Sequence, residues 1–198
     1  MSQTIVLISG ANRGLGKGLL ELYLAKPNHT VIAANRDPSH PSSKALSELP
    51  VAANSRLIVV KIDATSETDA LDAVKDLQSQ GIGNLDVVIA NSGICYVLPK
   101  VSDVKIEDIK AHFEPNVYGV VLLYQATLPF LLKSENPIWA TMGSTAGSLQ
   151  VRYFAFHTNR WGFGTNFFIV SILFQLSAIG NEASCATPVL STSFIDLL

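Results

Sequence analysis

The sequence predicts an α/β fold, a doubly wound parallel sheet with helices on both faces. Short apolar segments of strand length alternate with segments whose apolar residues recur at helical spacing. A glycine-rich turn, SGANRGLG, directly follows the first strand segment and precedes the first helical one. Strands that alternate with helices form right-handed βαβ units, and such units build a parallel sheet that is covered on both faces.

Five segments have the composition of buried parallel strands, which are apolar along their whole length. They are residues 4–9, 29–35, 56–62, 85–90 and 137–142. Helical patterns lie between them, and the three clearest follow Leu15 up to Pro27, cover residues 66–80 and cover residues 117–132. The second of these begins with Ser66 followed three residues later by Asp69, which is a capping-like start. Residues 37–43 are polar and contain proline, and we expect a connecting loop there.

The composition limits the classes of function. A chain of 198 residues predicts a single domain, and a formal net charge of −2 disfavours a nucleic-acid partner. Cys95 and Cys185 are too few for a disulfide framework or a zinc site, so we expect no metal and a reducing, cytoplasmic location. The first residues lack the pattern of a secretory signal.

The glycine-rich turn predicts a dinucleotide site. The residues expected to contact the cofactor here are Gly10, Asn12, Arg13, Gly14, Leu15 and Gly16. Missing side chains let the backbone turn tightly and approach a pyrophosphate, which the N-terminus of the following helix would bind. The spacing Gly-xxx-Gly-x-Gly differs from the general fingerprint Gly-x-Gly-xx-Gly. A turn without a ligand remains the alternative.

The residues after the second strand favour NADP over NAD. An acid at this point binds the ribose 2′-hydroxyl of NAD, whereas a basic residue accommodates a 2′-phosphate. This chain has Asn35 and Arg36 there, and Arg13 lies within the glycine turn. Two guanidinium groups can bind a phosphate through paired hydrogen bonds. The alternative is that both arginines are solvated surface charges.

Together with the glycine turn, four further motifs occur in the order found in the short-chain dehydrogenase/reductase family, which the sequence resembles over about 150 residues. The matching residues are Asp63 in KIDAT, Asn91 and Gly93 in NSG, Asn116 in NVYG and Ser144 in MGSTAG. The family has alanine where this chain has Ser92. The segment LLELYLAKPNHTVIAANRDPS resembles fungal ketoreductases of the norsolorinic acid ketoreductase type.

The resemblance implies a Rossmann-like fold and a role for each matched residue. Asp63 would hydrogen-bond the adenine amino group, while Asn91 and Gly93 would contact the cofactor. Asn116 would support a water-linked proton relay, and Ser144 would hold the substrate carbonyl. Each residue also has a structural alternative: Asp63 as a helix cap, Asn91 and Gly93 as turn residues, Asn116 as a helix-start residue, and Ser144 as a partner of nearby backbone groups.

The resemblance stops after Leu149. We therefore expect an NADP-binding Rossmann domain over residues 1–149, incomplete at its carboxyl end, and an atypical tail over residues 150–198. A shifted reading frame, a retained intron or a mistaken gene model would explain the abrupt change in composition. The uncharged stretch 163–179 has about the length of a short membrane span, but its glycine and polar residues disfavour one.

Family catalysis requires a tyrosine that donates a proton and a lysine four residues later on the same helix face. Here Tyr153 is followed four positions later by His157, and no lysine occurs after Lys133. Histidine is mostly neutral at pH 7 and does not reproduce the fixed charge of lysine. Tyr153 is therefore not expected to act as the acid.

The sequence therefore leads to two candidate functions. The first is an NADPH-dependent reductase that transfers a hydride to a ketone of a secondary metabolite, with a polyketide as the first candidate. The second is a catalytically inactive NADP-binding fragment that lacks the tyrosine–lysine pair. The implied partner is a small-molecule carbonyl substrate. The resemblance also implies that the helix over residues 117–132 forms a homo-oligomer interface.

Overall fold

The computed structural model describes residues 3–97, 99 and 102–143, and within these ranges five strands form one parallel sheet. The strands are β1 (Thr4–Ser9), β2 (His29–Asn35), β3 (Arg56–Lys61), β4 (Val87–Ala90) and β5 (Ile138–Thr141). They lie in the order β3-β2-β1-β4-β5, and every neighbouring pair is parallel. The chain therefore moves outward from β1 to β3, then crosses back over the sheet to β4. This topology confirms the predicted doubly wound α/β fold.

Helices connect the strands. They are α1 (Gly14–Leu24), α2 (Pro41–Lys44), α3 (Asp69–Ser79), α4 (Ile106–Phe113) and α5 (Gly119–Leu131). A 3₁₀ turn, Ala45–Glu48, continues α2, and a π-helical segment, Glu114–Tyr118, joins α4 to α5. Among the described residues, no helix is long and apolar enough to cross a membrane, and the stretch 163–179 lies outside them.

Both faces of the sheet are buried, because successive strand side chains point to opposite faces. On one face, Leu7 and Ile32 pack in a cluster with the apolar sides of α3 and α5. On the other face, Val6 and Ile8 pack with Leu20 of α1. All five of these side chains are fully buried. This two-sided burial explains why consecutive residues in the centre of each strand are apolar.

The predicted strands β1 and β2 have the observed bounds, whereas the fourth strand begins two residues later than predicted. Asp86 explains the difference. Its carboxylate accepts a hydrogen bond from the Ile5 amide at 2.7 Å, and its own amide donates to the Ile5 carbonyl at 2.9 Å. The residue is thus tied to β1 partly through its side chain, and regular pairing starts only at Val87.

The predicted helices occur, with shorter bounds. The Ser66 hydroxyl accepts a hydrogen bond from the Asp69 amide at 3.2 Å, so Ser66 caps α3 from outside it. The prediction of residues 37–43 as a loop was wrong in part, because α2 begins at Pro41. Proline suits a first helical position, where its missing N–H leaves no bond unmade. Helix α4 was not predicted.

Helix α5 begins with a close backbone approach. A Cβ atom at Gly119 would collide with the carbonyl oxygen of Ala64, in the loop that follows β3. No side chain therefore fits between the start of α5 and this loop. By contrast, Gly18 in α1 has open space around the corresponding position.

Replacing Gly119 with alanine is expected to lower the free energy of unfolding by about 1–3 kcal/mol, because the added methyl overpacks the contact with Ala64. Replacing Gly18 with alanine is the matched control. It should raise the free energy of unfolding by about 0.5–1 kcal/mol through helix propensity. Urea denaturation measures both values, and equal effects of the two substitutions would contradict the close approach.

Candidate functional site

A cavity of about 800 Å³ opens at the carboxyl ends of the strands, where the strand order reverses between β1 and β4. Ligands of open α/β sheets bind in the crevice at such a switch point. The volume lies within the range of roughly 300–1,000 Å³ that is usual for small-molecule sites. Topology and size therefore identify this crevice as the candidate site.

The glycine turn forms one wall of the cavity. Gly10 and Gly14 have φ angles of 65° and 55°, a left-handed backbone that glycine adopts without strain. A Cβ atom at Gly16 would collide with the Gly10 carbonyl and the Asn91 side chain, whereas one at Gly14 would project into open space. The turn thus requires glycine at both positions for different reasons. Gly14 has a left-handed backbone, and a side chain at Gly16 would collide with Gly10 and Asn91.

The N-terminus of α1 has backbone N–H groups that can donate hydrogen bonds to a ligand. Arg13 occupies the N-cap with an extended backbone and makes no side-chain capping bond, and the first turn contains no acidic residue. The first N–H groups of a helix have no intrahelical acceptor, and they carry a partial positive charge. A phosphate is the ligand that this arrangement favours. The donors and the bare backbone together fit the pyrophosphate of a dinucleotide.

Two polar side chains, Ser9 and Asn91, join the ends of β1 and β4. The Ser9 hydroxyl accepts hydrogen bonds from the amides of Asn91 at 3.0 Å and Ser92 at 2.9 Å. The Asn91 side chain donates to the carbonyls of Ser9 at 2.9 Å and Gly10 at 3.2 Å. Asn91 therefore fixes the glycine turn against β4, which is a positioning role within the described residues.

The π-helical segment positions Asn116 against the chain that follows β4. Its side chain accepts a hydrogen bond from the Ile94 amide and donates one to the Ile94 carbonyl, both at 2.8 Å. A Cβ atom at Gly93 would lie 3.2 Å from the same amide oxygen. Asn116 thus holds the main chain that lines the cavity, although it does not itself line it.

The two arginines predicted to bind a 2′-phosphate, Arg13 and Arg36, both line this cavity. Asn35 differs from them, since it is only 1% exposed and does not line the cavity. Its amide nitrogen and oxygen have no hydrogen-bond partner among the described residues. The two arginines therefore line one cavity, whereas Asn35 does not line it.

Asp63 lies in the loop that follows β3 and lines the cavity. Its carboxylate accepts hydrogen bonds from the Thr65 amide at 3.0 Å and the Thr65 hydroxyl at 2.9 Å. The helix α3 is capped by Ser66, so Asp63 does not act as its cap. The Asp63 amide donates to the Asp69 carboxylate at 2.9 Å, which fixes the position of Asp63.

Most of the predicted cofactor residues meet in this one cavity. Those that line it are Gly10, Asn12, Arg13, Gly14, Leu15, Gly16, Arg36, Asp63, Asn91 and Gly93. Leu15 is 63% exposed and gives the wall an apolar patch. Ser144 and Tyr153 lie outside the described residues. In the part of the chain that is described, no group of three metal-binding side chains is present.

Residues 4–158 match the family model of the short-chain dehydrogenases. The chain belongs to the short-chain dehydrogenase family. The match continues past Leu149 and includes Tyr153 and His157. The resemblance seen in the glycine turn and the later motifs is thereby confirmed at the level of the family.

Fungal members of this family are among the similar proteins. A short-chain dehydrogenase of Neurospora crassa is 41% identical over 147 residues, which cover 74% of this chain and 58% of the relative. A norsolorinic acid ketoreductase of Dothistroma septosporum is 47% identical over 130 residues, which cover 65% of this chain and 48% of the relative. The chain therefore spans between 48% and 58% of the length of these two relatives.

Solved structures of the family share the fold. The NADPH-bound carbonyl reductase from chicken fatty liver gives a TM-score of 0.72 at 24% identity, over 87% of this chain and 66% of that one. A 3-ketoacyl-ACP reductase from Sinorhizobium meliloti gives 0.65 at 27% identity, over 73% of this chain and 55% of that one. These similarities place the described sheet within the short-chain dehydrogenase fold.

Several residues at the short-chain dehydrogenase site were not anticipated from the sequence. Ser9 ends a run of apolar residues in β1, and a lone polar residue at that point was the available signal. His40 and Ser42 line the cavity from the connection after β2, only a few residues beyond Arg36. The His112 ring accepts a hydrogen bond from the Tyr96 amide at 3.0 Å, and no local pattern indicated that pairing.

Replacing Asp69 with asparagine is expected to lower the free energy of unfolding at pH 7 by about 2 kcal/mol. The carboxylate accepts hydrogen bonds from the Asp63 amide at 2.9 Å and the Ser66 hydroxyl at 2.8 Å, and Lys61 lies 3.1 Å away. Burial raises the pKa of Asp69, but these three donors outweigh burial and hold the pKa below its ordinary value.

A lowered folded-state pKa gives stability that is present above the unfolded pKa of about 3.9 and is lost as the pH falls through the folded value. The difference between the wild type and Asp69→Asn should therefore shrink below about pH 4. Urea denaturation at several pH values measures this change. Asp72→Asn, on the same helix but with an exposed carboxylate, is the control and should change stability little. An unchanged difference at low pH would contradict the assignment.

Proposed function

We propose that this chain binds NADPH and serves as a short-chain reductase that transfers a hydride to a ketone of a secondary metabolite. The observation that carries the proposal is the meeting of Arg13 and Arg36 with the glycine turn in one cavity. A 2′-phosphate placed between two guanidinium groups would receive paired, charge-assisted hydrogen bonds. NADH lacks the 2′-phosphate that would accept these hydrogen bonds.

The last residue of β2 is not an acid, which supports the same choice of cofactor. Short-chain enzymes that prefer NAD would need a carboxylate near the ribose 2′-hydroxyl. The residue at the end of β2 is Asn35, whose side chain is neutral and buried and does not line the cavity. The first acid after it, Asp37, lines the cavity, but its carboxylate already accepts hydrogen bonds from the Ser39 amide at 2.8 Å and the Ser39 hydroxyl at 2.6 Å.

NADPH, when bound, supplies the hydride that reduces the ketone. The residues of this chain bind and orient the cofactor around it. The N-terminus of α1 would hold the pyrophosphate, and Asp63 would accept a hydrogen bond from the adenine amino group. Asn116 fixes the main chain at Ile94 beside the cavity, and we propose that it also supports a proton relay. Ser144, outside the described residues, would polarise the carbonyl.

The substrate class rests on the relatives. A protein of Dothistroma septosporum at 47% identity is a norsolorinic acid ketoreductase, and one of Aspergillus parasiticus at 41% identity has the same name. A ketone of a polyketide-like secondary metabolite is therefore the first candidate. We further propose a cytoplasmic location.

A homo-oligomer through α5 is a separate proposal. The helix and the segment before it expose three large apolar or aromatic side chains, Tyr118, Val121 and Tyr124. Their exposed fractions are 58%, 41% and 38%. Such a surface is consistent with contact between subunits.

A second candidate function is NADP binding without catalysis. Its specific support is the sequence after Lys133, which contains no lysine and places His157 four residues after Tyr153. The tyrosine of a family member depends on a nearby ammonium to lower its pKa, and a mostly neutral imidazole does not replace it. This candidate uses the same cavity and the same cofactor contacts.

Replacing Arg36 with aspartate is expected to raise the Kd of NADPH about 10- to 100-fold, because a charge-assisted pair is replaced by repulsion. The Kd of NADH should stay unchanged or fall, since a carboxylate can accept from the 2′-hydroxyl. Fluorescence titration measures both constants. Lys75→Asp on α3 makes the same change in net charge away from the cavity and is the control. An unchanged preference for NADPH in Arg36→Asp would refute the assignment.

A second experiment separates reductase from binding protein. The purified chain is titrated with NADPH, and oxidation of the bound NADPH is then followed after adding norsolorinic acid. Oxidation with formation of the alcohol supports the reductase, and tight binding without oxidation supports the second candidate. Failure of the folded wild type to bind NADPH would refute both.

A further inference from the structure

His40 is a third basic residue that lines the same cavity as the two arginines. It lies in the connection between β2 and α2, and it lines the cavity together with Arg13 and Arg36. Its exposed ring is held in place by neighbours. The chemistry of the ring depends on which of its two nitrogens those neighbours occupy.

Hydrogen bonds from the glycine turn fix the ring. The Asn12 side-chain amide donates to the Ser42 hydroxyl oxygen at 2.8 Å. The same hydroxyl lies 2.8 Å from Nδ1 of His40, and the Ser42 amide donates to that nitrogen at 3.2 Å. Because the Ser42 oxygen already accepts from Asn12, its own proton is free to point at His40. Nδ1 therefore accepts two hydrogen bonds.

The proton of a neutral imidazole then lies on Nε2, since Nδ1 serves as the acceptor. Nε2 has no hydrogen-bond partner among the residues that the structure describes. The side chain thus has one N–H donor free, in the cavity that Arg13 and Arg36 also line. The Asp37 carboxylate, the acid of the same connection, accepts from Ser39 and is not bonded to the ring.

We propose that Nε2–H of His40 donates to the 2′-phosphate of NADPH and is a specificity-determining contact beside Arg13 and Arg36. This inference rests on the proposed function, because it concerns the same cavity and the same cofactor. Hydrogen bonds from Asn12 to Ser42 and from Ser42 to His40 link the glycine turn, which would bind the pyrophosphate, to the ring that would bind the 2′-phosphate. Ser42 is accordingly a positioning residue.

The test compares the dissociation constants of NADPH and NADH for the wild type and four variants. His40→Ala should raise the Kd of NADPH about tenfold and leave that of NADH within about twofold. His40→Gln, whose amide also carries a donor at its tip, should recover part of the loss. Ser42→Ala should give a smaller loss, of about threefold, because the ring remains but is less well oriented.

His29→Ala is the matched control, since this histidine begins β2 at the opposite end of the strand and does not line the cavity. It should leave both constants unchanged. Adenosine 2′,5′-bisphosphate and adenosine 5′-monophosphate, used as competitors, isolate the ribose phosphate from the nicotinamide half. His40→Ala should weaken only the bisphosphate.

The outcomes distinguish the two levels of the proposal. If the wild type prefers NADPH and His40→Ala keeps that preference, the contact with His40 is refuted and the proposed cofactor stands. If His40→Ala raises the Kd of NADPH and that of NADH by the same factor, the ring only maintains the structure of the connection between β2 and α2. The role in specificity is then refuted. If the folded wild type shows no preference for NADPH, the proposed cofactor fails and the His40 contact fails with it.

Discussion

The cavity depends on one close contact, the approach of the first turn of α1 to the ends of β1 and β4. A bare backbone at Gly16 allows this approach, because any side chain there would meet the Gly10 carbonyl and the Asn91 amide. Asn91 and Ser9 then fix the contact with four hydrogen bonds of 2.9 to 3.2 Å. These groups are mostly removed from water, so a lost partner would leave a costly unpaired polar group. The helix N-terminus faces the cavity as a result of this contact.

The sheet explains why the other site residues arrive at the same place. All five described strands are parallel, so the chain that follows each strand emerges at the same edge. Arg36 follows β2, Asp63 follows β3 and Asn91 follows β4. Because the chain leaves β1 on one side and returns to β4 on the other, the edge between these two strands has no connection across it, and a crevice remains.

The sequence predicted the fold well because both faces of the sheet are buried. The strands β1 and β2 each have a continuous apolar centre between polar ends, and their bounds were predicted correctly. The fourth strand is shorter than predicted, because the Asp86 side chain accepts a hydrogen bond from Ile5, a residue far away in the sequence. Helix α4 was missed because it is short, with 8 residues, and its apolar residues do not form a buried stripe, since only His112 is buried.

The candidate site was predicted less completely, for a related reason. The motif residues were found because their spacing along the chain is local. By contrast, Ser9 bonds to Asn91 across 82 positions, and Asn12 bonds to Ser42 across 30. No local pattern reveals such pairs. Asn35 differs from its neighbour Arg36, since it is buried and does not line the cavity, and the sequence pattern did not indicate that difference.

The proposed cofactor choice and the proposed catalysis depend on different parts of this chain. The residues proposed to contact a dinucleotide follow strands β1 to β4, and the side chains that would select a 2′-phosphate lie on exposed connections rather than in the core. Substitution of such exposed residues has little effect on stability, so specificity can change while the fold is kept. Proton delivery in the family depends instead on residues beyond β5. The reductase and the binding protein therefore share every contact in the cavity described above, and the difference between them lies after residue 143.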